Sequence, residues 1–269
     1  MIEIGASTLG YRHDSLDVAL SEISALGFRR CDIAMISGYC PHFNPVTASG
    51  REKAWLKARL EDLRLRVATL NVGDGLLGDP ARHEGMLKWA VASLELAREL
   101  GAYAITVPSG VEPGPGQWLE LARALAPDLR MLCERADRLG LDLTVELHKT
   151  MLMANCQEAL DLMGLVDHPR AGVTLDPSHT TYAGENAADV ALRLGSLVKH
   201  VHLRDGAGKN IDVVPGDGTV DFSALAAALK KNGYSRVAVI ELEYESMRAE
   251  GVRPDMVRSR SLLERAFTA

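Results

Sequence analysis

Four short segments of the 269-residue chain are apolar runs that end in acid or imidazole: LTVELH (143–148), VTLDPSH (173–179), HVHLRD (200–205) and VAVIELE (237–243). Strand alternation sends successive side chains to opposite faces. In the first run Thr144, Glu146 and His148 then share one face, opposed to Leu143, Val145 and Leu147. In the second, Thr174 and Asp176 oppose Val173 and Leu175; in the third, His200 and His202 oppose Val201 and Leu203. In the fourth, Glu241 and Glu243 oppose Ile240 and Leu242. Four such strands can aim their terminal groups at one spot. Glu146, Asp176, His202 and Glu241 would supply three carboxylates and one imidazole, a donor set for a single divalent cation. Mn²⁺, Mg²⁺, Co²⁺ and Zn²⁺ all accept such ligands, and the lack of thiolates argues against a structural zinc. One strand-end carboxylate is usually a helix cap or an ion-pair partner. Four in phase on consecutive strands are harder to explain that way.

Other residues carry weaker signals. Glu243 shares the phase of Glu241 and competes with it for the ligand position. His148 lies two residues beyond Glu146 on the same face, so it is expected to rim a pocket and reach a substrate hydroxyl. His179 follows Asp176 by three residues, across Pro177, and is within reach of substrate or metal; substrate is the expected contact. His200 sits one pleat deeper than His202 and reads as core or as support for it. His13, His42, His83 and His168 read as loop or surface residues. The glycine-containing turns AGKN (207–210) and VPGDG (214–218) suggest a phosphate cradle only weakly, because Asp212 and Asp217 would repel a phosphate.

The elements that must position these groups follow a regular beat. Strands are expected at Ile2–Ser7, Phe28–Ala34, Arg66–Val72 and Tyr103–Val107, and then at the four runs above. Helices are expected after Ser15, over Ala48–Leu63, Arg82–Leu100 and Gln117–Leu139, near Gln157–Met163 and Ala187–Leu194, after the cap Asp221, and near Pro254–Phe267. Glycines 27, 101, 140 and 233 stand where these helices should stop. The loop ISGYCPHFNP (36–45) is long enough to belong to an active site. Eight strands alternating with helices predict a (β/α)8 TIM barrel, one domain over 1–269, with its site at the C-terminal strand ends. An open doubly wound sheet is the competing architecture, but GASTLGYRHD after the first strand is not a GxGxxG turn. Composition is ordinary, with 47% hydrophobic and 25% charged residues. The net charge of −6 gives no electrostatic reason to bind nucleic acid or an anionic membrane. No secretory signal or 20-residue apolar span is visible, and the four cysteines are scattered, so a cytoplasmic protein with reduced thiols is expected.

VELH, LDPSH, HVHLRDG, PGDGTVDFSALAAALKKNGY and VIELE resemble the sugar phosphate isomerase/epimerase superfamily, the xylose-isomerase-like barrels. The resemblance is continuous from about Leu143 to Glu243. It implies that Glu146, Asp176, His202 and Glu241 bind one divalent ion, often Mn²⁺. It further implies that Glu146 and Glu241 face each other across the reacting carbon as catalytic groups, and that His179 contacts substrate or metal. Two departures weaken a free-ketose 3-epimerase reading. Gly208, with Lys209 beside it, stands where those epimerases carry arginine, and Leu152 stands where they carry glutamate. The family's trinuclear DNA-repair endonucleases need extra histidines on strands three and four, whose ends here read TLNVGD and TVPSG. The expected activity is therefore isomerisation or epimerisation of a sugar or keto-polyol, with glutamate-mediated proton abstraction next to a metal-polarised carbonyl. The alternatives are a dehydratase of inosose or dehydroshikimate type, and a barrel that binds a sugar or partner without turnover. The expected partner is a small molecule, with a homo-oligomer left open.

Overall fold

The computed structural model of the protein describes residues 2–243 and 251–268. Eight parallel strands form its centre: β1 (Ile4–Ser7), β2 (Arg30–Ile36), β3 (Arg66–Gly73), β4 (Ala104–Val107), β5 (Asp142–Glu146), β6 (Ala171–Leu175), β7 (Val198–Leu203) and β8 (Ala238–Ile240). They pair in sequence order, β8 returns to β1, and β1 also pairs with β2, so the sheet closes on itself as a TIM barrel. The helices that alternate with them are α1 (Leu16–Ala25), α2 (Gly50–Asp62), α3 (His83–Leu100), α4 (Trp118–Leu139), α5 (Cys156–Val166), α6 (Pro177–Ala183), α7 (Ala187–Leu194), α8 (Phe222–Lys231) and α9 (Arg253–Thr268). Local chemistry sets their ends. The Ser15 side chain accepts the Val18 amide, Ser49 and Glu52 form a capping box, and α3 and α4 stop at Gly101 and Gly140, both in the left-handed region at φ 72°. Among the described residues no helix is long and apolar enough to cross a membrane.

Strand alternation divides the interior in two. Outward-facing Ile33, Met35, Leu70, Ile105, Leu143, Val173 and Val201 join the helices in one apolar cluster. Inward-facing Asp32, Thr69, Thr106, Thr144, Thr174, His200 and His202 are just as deeply buried, each at 0% exposure. Such groups are tolerated only if they satisfy one another. The Thr106, Thr144 and Thr174 hydroxyls do so in a triangle with sides of 2.8–3.0 Å. The apolar outer layer carries most of the stability, and the polar inner layer is free to carry a site.

Four local differences from expectation bear on the site. Strand β8 ends at Ile240, so Glu241 and Glu243 stand beyond the ladder rather than within it. Asp176, one residue past β6, caps α6, with its Oδ1 accepting the Ser178 amide at 2.7 Å and Pro177 as the first helical residue. The two-residue strand Cys40–Pro41 runs back along β2, and the turn between the two, with Ser37 and Tyr39, faces the barrel mouth. Beyond β7, Asp205–Ala207 and Asn210–Val213 form an antiparallel hairpin.

The glycine turn after that hairpin is not a phosphate cradle, because the chain fills it itself. The Asp205 carboxylate, 1% exposed, accepts the amides of Gly206 and Val220 on Oδ1 and those of Gly216 and Gly218 on Oδ2, at 2.8–3.0 Å. A β-carbon on Gly218 would overlap that carboxylate. In Asp205→Asn one oxygen becomes an amide group that faces two N–H donors. The substitution should lower unfolding free energy by about 3 kcal/mol, the scale of losing charge-assisted hydrogen bonds and burying unpaired donors. Urea denaturation of the two proteins measures it; an unchanged midpoint would mean the loop is held by something else.

Candidate active site and metal centre

Strands β5 to β8 deliver one group each to the C-terminal mouth of the barrel. The donor atoms of Glu146, Asp176, His202 and Glu241 all lie within 4.8 Å of one another. Two ligand atoms on opposite sides of a small divalent ion lie about 4–4.4 Å apart, so the set needs only slight contraction around a cation. His202 Nδ1 lies 2.9 Å from Glu146 Oε1 and 3.2 Å from Glu241 Oε2. Asn71 Nδ2 on β3 donates to Glu241 Oε1 at 3.3 Å and fixes that carboxylate's tilt. Burial alone would push His202 down. The Glu241 charge and the surrounding carboxylates of Asp32, Glu146 and Glu241 outweigh it and hold the imidazole well above the ordinary histidine range. Carboxylates this close repel one another unless positive charge lies among them. The excess of negative charge, with mixed oxygen and nitrogen donors, fits a hard or borderline divalent cation.

Asp176 is shared with a group that sequence reasoning missed. Arg204, two residues past His202 on the same face and 2% exposed, directs Nε and Nη2 at Asp176 Oδ2, 3.0 and 2.9 Å away. Its Nη1 donates to Glu243, its Nε also meets Ser178 Oγ, and its Nη2 donates to His179 Nε2 at 2.7 Å. Burial would lower the guanidinium's pKa, but Asp176 and Glu243 hold it well above its usual range, so it stays charged. Glu243 in turn accepts from the Tyr39 hydroxyl at 2.5 Å. Burial opposes ionisation of Glu243, yet Arg204 and Tyr39 bring its pKa down to about 2. Glu243 therefore belongs to a bar of side chains, Tyr39–Glu243–Arg204, that crosses the mouth, while Glu241 lies with the donor set. The signal for Arg204 was the same two-residue period that picked out His200 and His202.

The histidines separate by depth. His148 lines the cavity above the donor set. His179 lies beneath it, fully buried, with its ring 3.9 Å from that of His148 and its Nε2 3.8 Å from Asp176 Oδ2. Burial first, and then the charges of His148 and Arg204, keep His179 well below its normal pKa. Neutral, its Nε2 can accept from Arg204, so it meets the cavity by way of that guanidinium. His200 is sealed inside the barrel, 2.6 Å from Asp32 Oδ2. Asp32 was not singled out from the sequence, although CDIA on β2 puts it on the inward face. Burial would raise its pKa, but His200 and His202 hold it far below the carboxylate range. The expectation of loop or surface positions suits His13, His168 and His42, the last half-buried between Thr8 Oγ1 and the Tyr11 carbonyl, whereas His83 opens α3, half-buried, with its Nε2 3.3 Å from Asp128 Oδ2. Leu152 is a core residue, and Gly208 occupies the exposed hairpin turn at φ 59°.

A cavity of about 300 Å³ lies over the donor set. Glu146, Glu241, Asn71, His148 and Arg204 form its polar side, and Ile36, Val72, Leu76 and Met151 its apolar side. Across the bar, a second hollow of about 270 Å³ is lined by Lys149, Lys209, Asn210 and Asp212. Tyr39, His148, Arg204 and Glu243 border both. Each is at the small end of the range for pockets that enclose small molecules.

A family model described as a xylose isomerase-like TIM barrel matches residues 20–262. An inosose dehydratase of Clostridium perfringens is 29% identical over 141 residues, 46% of this chain and 48% of the relative, so the chain matches about half of that protein's length. A fructoselysine 3-epimerase of Shigella flexneri is 23% identical over 256 residues, covering 90% of each chain. Among solved structures, the IolI protein crystallised with a zinc atom superimposes with a TM-score of 0.79 at 17% identity, covering 99% of this chain and 98% of that one. At that identity the superposition speaks to the fold.

Proposed function

The chain belongs to the xylose isomerase-like TIM-barrel family, and from that premise we propose that it is a divalent-metal-dependent isomerase or epimerase of a sugar or keto-polyol. The observation that carries the proposal is the approach of Glu146, from β5, and Glu241, beyond β8, to the same nitrogen of His202 at the floor of a small cavity. Glu146, Asp176, His202 and Glu241 would hold the ion, with Mn²⁺ favoured and Mg²⁺, Co²⁺ or Zn²⁺ also suited to the donors. Bound there, a divalent ion would polarise a substrate carbonyl and make the neighbouring C–H more acidic.

The residues then divide the work. One of Glu146 and Glu241 takes the proton from the carbon beside the carbonyl, and the other returns a proton from its own side. Return to the same carbon on the opposite face inverts it; return to the former carbonyl carbon, with the neighbouring hydroxyl's proton passing to the old carbonyl oxygen, moves the carbonyl. Arg204 presents a guanidinium at the cavity edge, where negative charge on a substrate oxygen would develop. His148 contacts a substrate hydroxyl directly. His179 acts on the substrate through Arg204, whose Nη2 it holds. The apolar wall of Ile36, Val72 and Met151 keeps water from the carbanionic face.

A second reading, dehydration, is favoured by the similarity to inosose dehydratase. It shares the first proton abstraction and differs in that a β-hydroxyl leaves before reprotonation. Both are tested by incubating the Mn²⁺-loaded protein in D₂O with a panel of ketoses, inososes and keto-acids. Deuterium at one carbon of a recovered sugar supports the isomerase or epimerase, and a product lacking one water supports the dehydratase. A protein that binds no divalent ion, or loaded protein that exchanges no substrate proton, would leave the non-catalytic binding barrel as the better account.

A further inference from the structure

Below the donor set lies a second group of titratable side chains that the proposed reaction never touches. Asp32 and His200 are both 0% exposed, and His202 is equally sealed. Asp32 Oδ1 accepts the Thr69 amide at 2.9 Å, and Oδ2 lies 2.6 Å from His200 Nε2. The Tyr103 hydroxyl lies 2.7 Å from the other nitrogen of His200, which ties this pair to the barrel floor. Asp32 Oδ2 is also 3.6 Å from His202 Nε2. That nitrogen is fully buried and makes no hydrogen bond. A buried orphan N–H is costly, and its direction shows which acceptor it can use.

The two nitrogens of His202 face opposite ways. Nδ1 points up at Glu146 and Glu241, and Nε2 points down at Asp32. A neutral imidazole that offers its Nδ1 lone pair to a cation must carry its proton on Nε2. We infer that Asp32 is a positioning residue: its carboxylate accepts the Nε2–H of His202, fixing the tautomer and ring plane that leave the Nδ1 lone pair facing the carboxylates above. A shift of about 0.5 Å brings the pair into hydrogen-bond range. His200, held by Tyr103, keeps Asp32 Oδ2 turned toward this task. Asp32, His200 and His202 also have donor atoms within 4.8 Å of one another. As a second cation site they are a poor candidate, because both Asp32 oxygens are already engaged and only three ligands converge.

The inference rests on the metal-site reading, and the test separates the two. Zinc affinity is measured by competition with a chromophoric chelator for the wild type and for Asp32→Asn. Ring nitrogens of ¹⁵N-histidine-labelled, zinc-loaded wild type are assigned by NMR. A wild type that binds no zinc would sink the metal site itself. With zinc bound to wild type, the expected results are one ion per chain, His202 protonated on Nε2, and a 10–100-fold weaker affinity in Asp32→Asn, the usual scale for loss of a ligand's outer partner. A merely structural Asp32 would lower stability without determining the tautomer. Two ions per chain, a His202 ring protonated on Nδ1, or an Asp32→Asn protein that binds zinc as tightly as wild type would each overturn the inference. Should Asp32→Asn not fold, the wild-type tautomer decides alone.

Discussion

Glu146→Gln and Glu241→Gln are each expected to lower kcat/KM by about 10⁴-fold, roughly 5.5 kcal/mol of transition-state stabilisation. Each would lose a proton-transfer group and, at the same time, a charged ligand. The two losses separate when assays are run at saturating Mn²⁺ with metal content measured on the same samples. Glutamine keeps an oxygen for the ion but has no basic carboxylate, so the variants should regain metal at high concentration without regaining deuterium exchange. Asp176→Asn should respond differently, with weaker metal binding and activity largely restored by excess ion. Glu243→Gln should be the mildest of the four, because Glu243 pairs with Arg204 and Tyr39 rather than joining the donor set. If Glu241→Gln kept exchange within tenfold of wild type while Glu243→Gln lost it, the base would have been placed one pleat too low.

That ordering marks how far the sequence could be read. Glu146, Asp176 and His202 were legible because each closes an apolar run whose two-residue period fixes which way the last side chain points. The barrel was legible for the same reason, with capped helices between the runs. Past a strand end the period constrains less, and there the reading split: Glu241 and Glu243 look equivalent in VIELE, but β8 stops at Ile240. What separates them is contact with distant residues. Tyr39, 204 positions away, comes over the mouth on the loop after β2 and engages Glu243. Asn71 from β3 engages Glu241. No local pattern announces either contact. Asp32 and Arg204 were hidden differently, since a single acid on an early strand and a single arginine after a histidine pair have ordinary explanations. Only burial removes those, with Asp32 at 0% and Arg204 at 2% exposure.

Arg204→Met is expected to act in opposite directions on three measurements. In the metal-free protein it removes the cation between Asp176 and Glu243. Breaking a buried pair from one side leaves an uncompensated charge, and unfolding free energy should fall by about 3–5 kcal/mol. Metal affinity should hold or rise, because the guanidinium is a fixed positive charge pressed against Asp176, a proposed ligand, and its field opposes a second cation. Added Mn²⁺ should therefore stabilise Arg204→Met at least as much as wild type. Catalysis should still fall, by about 10³-fold or roughly 4 kcal/mol, since the donor aimed at the developing substrate charge is gone. Arg204→Lys keeps the charge but not the planar fork that reaches Asp176, Ser178, His179 and Glu243 together, so it should recover part of the stability and little of the rate. Urea denaturation with and without Mn²⁺, metal titration and steady-state kinetics on the three proteins measure all of this. An Arg204→Met enzyme within tenfold of wild-type kcat/KM would confine Arg204 to holding the fold. A variant that lost its metal along with its activity would place the guanidinium among the groups that build the ion's site.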